Sequence, residues 1–164
     1  MHTYERSVRV RAPFEEVWTF HSTESGLEAL TPKWMHLDVE SVVGPDGELQ
    51  PAKLDAGSTL TASVQPFGIG PRQRWISEIT HREKSSGTAF FTDVMRDGPF
   101  RHWEHTHLFY DDGDSTLIRD RIEYALPLGP LDRVVGPLAI VGFEPMFRHR
   151  HRTTRKLLEQ QPTR

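Results

Sequence analysis

The sequence predicts one α+β domain, with a curved antiparallel sheet of about seven strands wrapped around a long C-terminal helix. Runs of alternating residues follow one another through the middle of the chain with short turns between them, which is typical of antiparallel strands. The segment 130–161 instead repeats its apolar residues every three or four positions, as a helix does. The length of 164 residues fits a single domain over 1–164.

The N-terminal part predicts a strand followed by two short helices. Residues 3–11 alternate in character and predict the strand. Pro13 stands where a first-turn proline belongs, and the run 14–22 has helical spacing, so the first helix follows. The second helix is expected over 23–30, capped by Ser22 or Thr23.

The rest of the chain predicts six more strands and then the C-terminal helix. Gly136-Pro137 should break that helix, and Pro145 should bend it or mark a second start. A helix with one apolar stripe must bury it against the sheet, and a curved sheet around a helix leaves a cavity where small ligands bind. The six strands are expected over 35–43, 58–66, 71–82, 87–96, 100–110 and 115–126, with an irregular loop over 44–57.

Composition excludes several classes of site and of partner. The chain has no cysteine, which excludes disulfides, iron–sulfur clusters, cysteine-bound zinc and thiol nucleophiles. No apolar run approaches the length of a membrane span, and the N-terminus shows no signal-peptide pattern, so a cytoplasmic location is expected. A net charge of −3 does not indicate a nucleic-acid partner.

Three segments give the chain a resemblance to a known superfamily. It resembles the START-like, or SRPBCC (polyketide cyclase/dehydrase), superfamily with the helix-grip fold, and is nearest to a bacterial subgroup of uncharacterised ligand-binding members. The resemblance implies a hydrophobic cavity, since members bind lipids, sterols, quinones, polyketides or plant hormones, and some are enzymes. The segments are VRVRAP at 8–13 with Glu16-Val17-Trp18 and Phe20, GPFRHWEHTHLF at 98–109, and YALPLGPL at 124–131.

Two neighbouring strands place histidines beside an aspartate. Trp103, His105 and His107 share one face of the strand 100–110, and Asp120 lies on the apolar face of 115–126. The plausible registers put Asp120 opposite His105 or His107. A carboxylate there would raise the pKa of the imidazole and fix its tautomer, whereas burial would lower that pKa.

This arrangement leaves a binding function and a catalytic function open. The protein is expected to bind a small hydrophobic or amphipathic molecule, such as a lipid, polyketide or quinone, between the sheet and the C-terminal helix. The alternative is a cyclase, dehydratase or hydrolase-type enzyme in which His105, His107 and Asp120 carry acid–base chemistry. The polar groups could also simply satisfy one another.

A set of inward-facing residues is expected to contact the ligand. Tyr124 and Trp103 would orient it through an O–H and an N–H while their rings supply apolar area. The expected ligand-binding residues are Trp75, Phe91, Asp93, Met95, Trp103, His105, His107, Ile122, Tyr124 and Phe147.

Other histidines and arginines suggest weaker alternatives. His105 and His107 with Asp93 or Asp120 could form a two-histidine, one-carboxylate metal site, but the resemblance implies a mostly metal-free family, so no metal and no cofactor are expected. The basic run 148–156 could contact anionic lipid peripherally, but is expected to be the solvated face of the helix, with Phe147, His151, Thr154 and Leu158 turned inward. The remaining candidates, His21, His36, His81 and His102, are expected at the surface or rim; the oligomeric state is left open.

Overall fold

The computed structural model describes residues 1–159 and confirms the predicted order of elements. Short helices follow the first strand, a meander of strands comes next, and the last part is helical. Short 3-10 turns at Lys33–Met35, Pro66–Gly68, Gly129–Leu131 and Gly136–Ala139 join some of the elements. The elements are β1 (His2–Val10), α1 (Phe14–His21), α2 (Glu24–Leu30), β2 (Asp38–Val43), β3 (Thr59–Val64), β4 (Gln73–Ser85), β5 (Thr88–Asp97), β6 (His102–Asp111), β7 (Thr116–Ala125), α3 (Asp132–Val135) and α4 (Ile140–Leu158).

The strands form one open seven-stranded sheet in the order β1-β7-β6-β5-β4-β3-β2. Every neighbouring pair is antiparallel. Strands β2 to β7 pair in chain order. The turns from β4 to β7 are short, whereas the long loop 44–58 joins β2 to β3, and β1 lies at the far edge beside β7. The fold is therefore the predicted helix-grip arrangement of a sheet and a long C-terminal helix.

Local chemistry determines where the short helices begin and end. Thr23 caps α2, because its Oγ1 accepts a hydrogen bond from the amide of Gly26 at 3.2 Å. Ser22, the other candidate cap, ends α1 instead and donates its hydroxyl to the carbonyl of Trp18. The acidic pair Glu15 and Glu16 lies in the first turn of α1, where carboxylates interact favourably with the helix dipole.

Strand β2 departs from the simple alternation seen in its sequence. A bulge between Val39 and Ser41 shifts its register against β3. Val42 is therefore buried, while Ser41, which simple alternation would place on the same face as Val39, is exposed. The extra residue could not be seen from the sequence because the pattern on either side remains regular.

The C-terminal segment breaks where glycine and proline predict it. Residues Gly136–Ala139 form a 3-10 turn, and α4 then continues through Pro145, so the second start considered there is wrong. The predicted helix end near 161 lies outside the described residues, and α4 ends at Leu158. Its buried side chains recur every three or four residues and face the sheet: Phe143, Phe147, His151, Thr154 and Leu158.

Two apolar clusters hold the helices against the sheet. One gathers around α1 and the far end of β6, with Trp18 and Phe109 among its members. The other lies under the first half of α4, where Tyr124, Phe143 and Phe147 pack together. Along β6, His105 and His107 lie between these clusters, so polar side chains occupy the middle of this sheet face.

Candidate functional site

A cavity of about 280 Å³ lies among the sheet, α2 and α4. Apolar side chains of all three layers line most of it, including Leu27 and Leu30 from α2 and Phe147 from α4. Its charged lining groups are Asp93 and Arg150, and the two histidines of β6 also reach its wall. This combination of apolar walls with a few convergent polar groups is typical of a small-molecule site.

Strand register brings the predicted acid–imidazole residues together. His107 lies directly opposite Asp120 across the β6–β7 ladder, which was one of the two expected registers. On the other side, Asp93 of β5 lies opposite His105. Because side chains alternate in direction along a strand, all four point to the face covered by α4.

Asp120 is the buried centre of this cluster, with 1% of its side chain exposed. His105 donates from Nε2 to its Oδ1 at 2.9 Å, and His151 of α4 donates from Nε2 to its Oδ2 at 2.5 Å. Burial alone would raise the pKa of Asp120, but these hydrogen bonds and the nearby His107 hold that pKa well below its usual range. Asp120 therefore holds two histidines in place and does not line the cavity.

Asp93 is the carboxylate that faces the cavity. Ser77 donates its hydroxyl to Oδ1 at 3.0 Å, while Oδ2 lies 3.3 Å from Nε2 of His107 and 3.6 Å from Nδ1 of His105. Burial would raise the pKa of Asp93, but the two imidazoles and Ser77 lower it overall. Its side chain keeps 21% exposure, and that surface lies on the cavity wall.

The two histidines of β6 lie side by side between the carboxylates. Their ring centroids are 3.7 Å apart, and each ring has one nitrogen toward Asp93 and the other toward Asp120. Burial and the neighbouring His107 lower the pKa of His105, so desolvation outweighs the carboxylates there. Nδ1 of His107 lies 3.0 Å from Asp120 but has no hydrogen bond within residues 1–159.

Arg150 and His21 also line the cavity. Arg150 of α4 has no ion pair within 4 Å among the described residues, and burial lowers its pKa although Asp120 and Asp93 counteract this. His21 was expected at the surface, and this is wrong: it is buried and donates from Nδ1 to the carbonyl of Val17 at 2.8 Å. Burial, with the charge of Arg150, lowers the pKa of His21 to about 3.

The cavity wall includes most, but not all, of the expected ligand-binding residues. Ile122 and Tyr124 are corrections: both are fully buried away from the cavity, and the Tyr124 hydroxyl donates to the carbonyl of Gly136 at 3.0 Å. Tyr124 therefore has no hydroxyl free to orient a ligand. The expected residues that line the cavity are Trp75, Phe91, Asp93, Met95, Trp103, His105, His107 and Phe147.

Some polar groups of this site were not among the residues expected from the sequence. The helical period placed His151 inward, yet nothing in a single helix shows that it meets Asp120. Arg150 belongs to the basic run that was expected to be solvated. It lines the cavity instead, next to the inward-facing His151. His21 shared the helical spacing of Val17 and Trp18, and that signal could have identified it as buried.

Solved structures with the same fold support this architecture. A crystal structure of TTHA0849 from Thermus thermophilus is 16% identical with a TM-score of 0.63, covering 98% of this chain and 100% of that one. Norcoclaurine synthase from Thalictrum flavum, solved with dopamine and hydroxybenzaldehyde, is 18% identical with a TM-score of 0.66, covering 99% and 89%. A START superfamily protein from Mycobacterium smegmatis is 17% identical with a TM-score of 0.62, covering 98% and 99%.

The remaining comparisons concern sequence and membrane spans. No curated protein matches the sequence significantly. Within residues 1–159, none of the helices is both long and apolar enough to cross a membrane. Residues 8–158 match the family DUF8410, described as a domain of unknown function. The chain therefore has a START-like fold and belongs to the DUF8410 family.

Proposed function

We propose that this protein binds a small hydrophobic or amphipathic molecule in the cavity between the sheet and α4. The observation that carries the proposal is the cavity itself, whose wall is mostly apolar and contains a charged group on each side. Apolar lining favours a hydrophobic ligand, and a few polar groups give it a fixed orientation. A START-like fold is compatible with such binding, and this chain's own cavity supports it.

The volume favours a ligand of one or two rings or a short single chain. About 280 Å³ lies near the lower end of the range of roughly 300–1,000 Å³ that is usual for ligand pockets. A two-chain lipid would need more space than this. The similar norcoclaurine synthase was solved with two single-ring compounds, which agrees with a ligand of this size.

The charged groups favour an amphipathic ligand whose polar end lies near α4. Arg150 offers guanidinium donors without an ion-pair partner among the described residues, and a partly buried cation without a partner is costly. An acidic or strongly accepting group on the ligand would complete its bonding. The aromatic rings of Trp75, Phe91 and Trp103 would contact the apolar part.

Binding can be tested by native mass spectrometry of gently purified protein together with titration of a fluorescent apolar probe. Leu27→Trp would fill part of the cavity from α2 and should weaken probe binding at least about tenfold. Leu157→Trp places the same ring on α4 at a position that is 41% exposed, and should leave binding unchanged. Equal binding by both variants, or no binding by the wild type, would overturn the proposal.

The role of Arg150 has its own test. Arg150→Met keeps an unbranched side chain but removes the guanidinium. We expect it to weaken binding of an aromatic carboxylate at least about tenfold, while a neutral aromatic probe of the same size binds as before. Equal losses for both probes would show that Arg150 contributes packing and not recognition of an acid.

A further inference from the structure

We propose that Asp93, His105 and His107 form a binding site for a divalent transition-metal ion, held at the wall of the cavity. One ligand atom from each residue lies within 4.8 Å of the other two. Asp93 Oδ2 is 3.3 Å from His107 Nε2 and 3.6 Å from His105 Nδ1. This site stands on the side-chain cluster alone and does not require the proposed organic ligand.

Two of the three spacings among these atoms fit a tetrahedral ion. With bonds of about 2.0–2.1 Å, a tetrahedral zinc site places neighbouring ligand atoms about 3.3 Å apart. The distances from Asp93 Oδ2 to the two nitrogen atoms are within a few tenths of an ångström of that spacing. Two imidazoles and one carboxylate are also a donor set that suits zinc and other first-row divalent ions.

The bonding of the two histidines leaves imidazole lone pairs beside Asp93 that could bind a cation. Each ring faces Asp93 with one nitrogen and Asp120 with the other. A neutral imidazole has only one N–H, so each ring must turn one lone pair toward a carboxylate oxygen. When both N–H groups point to Asp120, His105 Nδ1 and His107 Nε2 each turn a lone pair toward Asp93 Oδ2, and a cation would lie among these three atoms.

Residues behind the three ligands would hold them in this orientation. His105 already uses Nε2 to bond Asp120, which leaves Nδ1 for a metal. Nδ1 of His107 has no hydrogen bond within the described chain but lies 3.0 Å from the same carboxylate, which is close enough to accept a hydrogen bond from an N–H at Nδ1. Ser77 bonds the other oxygen of Asp93. Such carboxylate–histidine–metal arrangements fix the tautomer and strengthen the ligand.

The surroundings leave room for a further ligand on the metal. All three residues line the cavity, so an open coordination position would face it, as in catalytic zinc sites. Arg150 lines the same cavity and would oppose a cation, but Asp93 and Asp120 together outweigh its charge. The site differs from the metal-free expectation that the resemblance suggested.

Zinc titration of the metal-free protein tests the site. Isothermal titration calorimetry should show one Zn²⁺ per chain. Asp93→Asn and His107→Gln should each weaken that binding at least about 100-fold, since outer residues alone typically contribute 10–100-fold. His149→Gln, which removes an exposed histidine of α4, is the matched control and should bind as the wild type does.

A second readout identifies the nitrogen atoms and does not depend on affinity. In nitrogen-15 spectra of the histidine rings, zinc should shift Nδ1 of His105 and Nε2 of His107, and leave His149 unchanged. Circular dichroism of each variant would show whether it folds. The proposal is wrong if zinc does not bind one to one, if folded Asp93→Asn binds as tightly as the wild type, or if the ring signals do not move. The ring signals would stay unmoved if both nitrogens of each histidine carried a proton and donated to the carboxylates.

Discussion

Acidification should destabilise this protein through His21, a buried histidine that is kept neutral by its surroundings. Its pKa is about 3 in the folded chain, against an ordinary value of 6.5. The unfolded chain takes up a proton as the pH falls below 6.5, whereas the folded chain does so only near 3. The free energy of unfolding therefore decreases as the pH falls through this window, and the stabilisation is fully present only above it.

The size of the effect follows from the two pKa values. At about pH 5, protonation of His21 in the unfolded chain lowers the free energy of unfolding by roughly 2 kcal/mol. This pH lies about 1.5 units below the ordinary pKa, and each unit contributes about 1.36 kcal/mol. His21→Phe keeps the aromatic packing against Phe109 but cannot titrate. Between about pH 7 and pH 5, the free energy of unfolding of the variant should therefore decrease by about 2 kcal/mol less than that of the wild type.

Urea denaturation at the two pH values measures this difference. Any change in stability from the lost hydrogen bond to Val17 appears at both pH values and cancels. His81→Gln, at an exposed position, is the matched control and should retain the loss seen in the wild type. If His21→Phe and the wild type lose the same free energy, burial of neutral His21 is not what makes the protein acid-sensitive.

Three substitutions test packing in the core and beside the cavity. Phe109→Ala removes a fully buried ring and should lower the free energy of unfolding by about 3–5 kcal/mol in urea titrations; a loss below about 1 kcal/mol would contradict its place in the core. Gly98→Ala should destabilise by more than about 1 kcal/mol and weaken apolar-probe binding, because its φ is +152° and a Cβ would lie 2.5 Å from Sδ of Met95; unchanged melting would refute this. Tyr124→Phe should lower the free energy of unfolding by about 1 kcal/mol, since it loses the hydrogen bond to Gly136, but the variant should bind the probe normally. Weakened binding would show that Tyr124 contacts the ligand.

Much of the fold followed from local patterns. The turns between strands are short and rich in glycine, so the pairing of β4 through β7 could be predicted without any tertiary information. The inward face of β6 followed from alternation. Because the apolar faces of both strands must point inward, only two registers were plausible, with Asp120 opposite His105 or His107. Local rules failed where a bulge intervened in β2, because one extra residue reverses the faces without changing composition.

The site was harder to predict than the fold because it depends on contacts between elements far apart in sequence. Tyr124 shares a strand face with Asp120 and was therefore expected at the cavity. It is instead covered by the segment before α4, whose path depends on the break at Gly136. His151 and Arg150 are neighbours in one basic run. Only the packing of α4 on the sheet shows that His151 bonds to Asp120 and that Arg150 lines the cavity.

The hydrogen bond between His151 and Asp120 makes the position of α4 dependent on the state of the cluster. Lifting the helix from the sheet would leave a buried carboxylate with one donor fewer, so partial opening of α4 is costly. The amide protons in the middle of the helix should then exchange with solvent only in rare, large openings. Any molecule or ion that stabilises the cluster would slow the exchange of these amide protons. Hydrogen exchange in α4 would therefore change on binding, even at residues that do not touch the ligand.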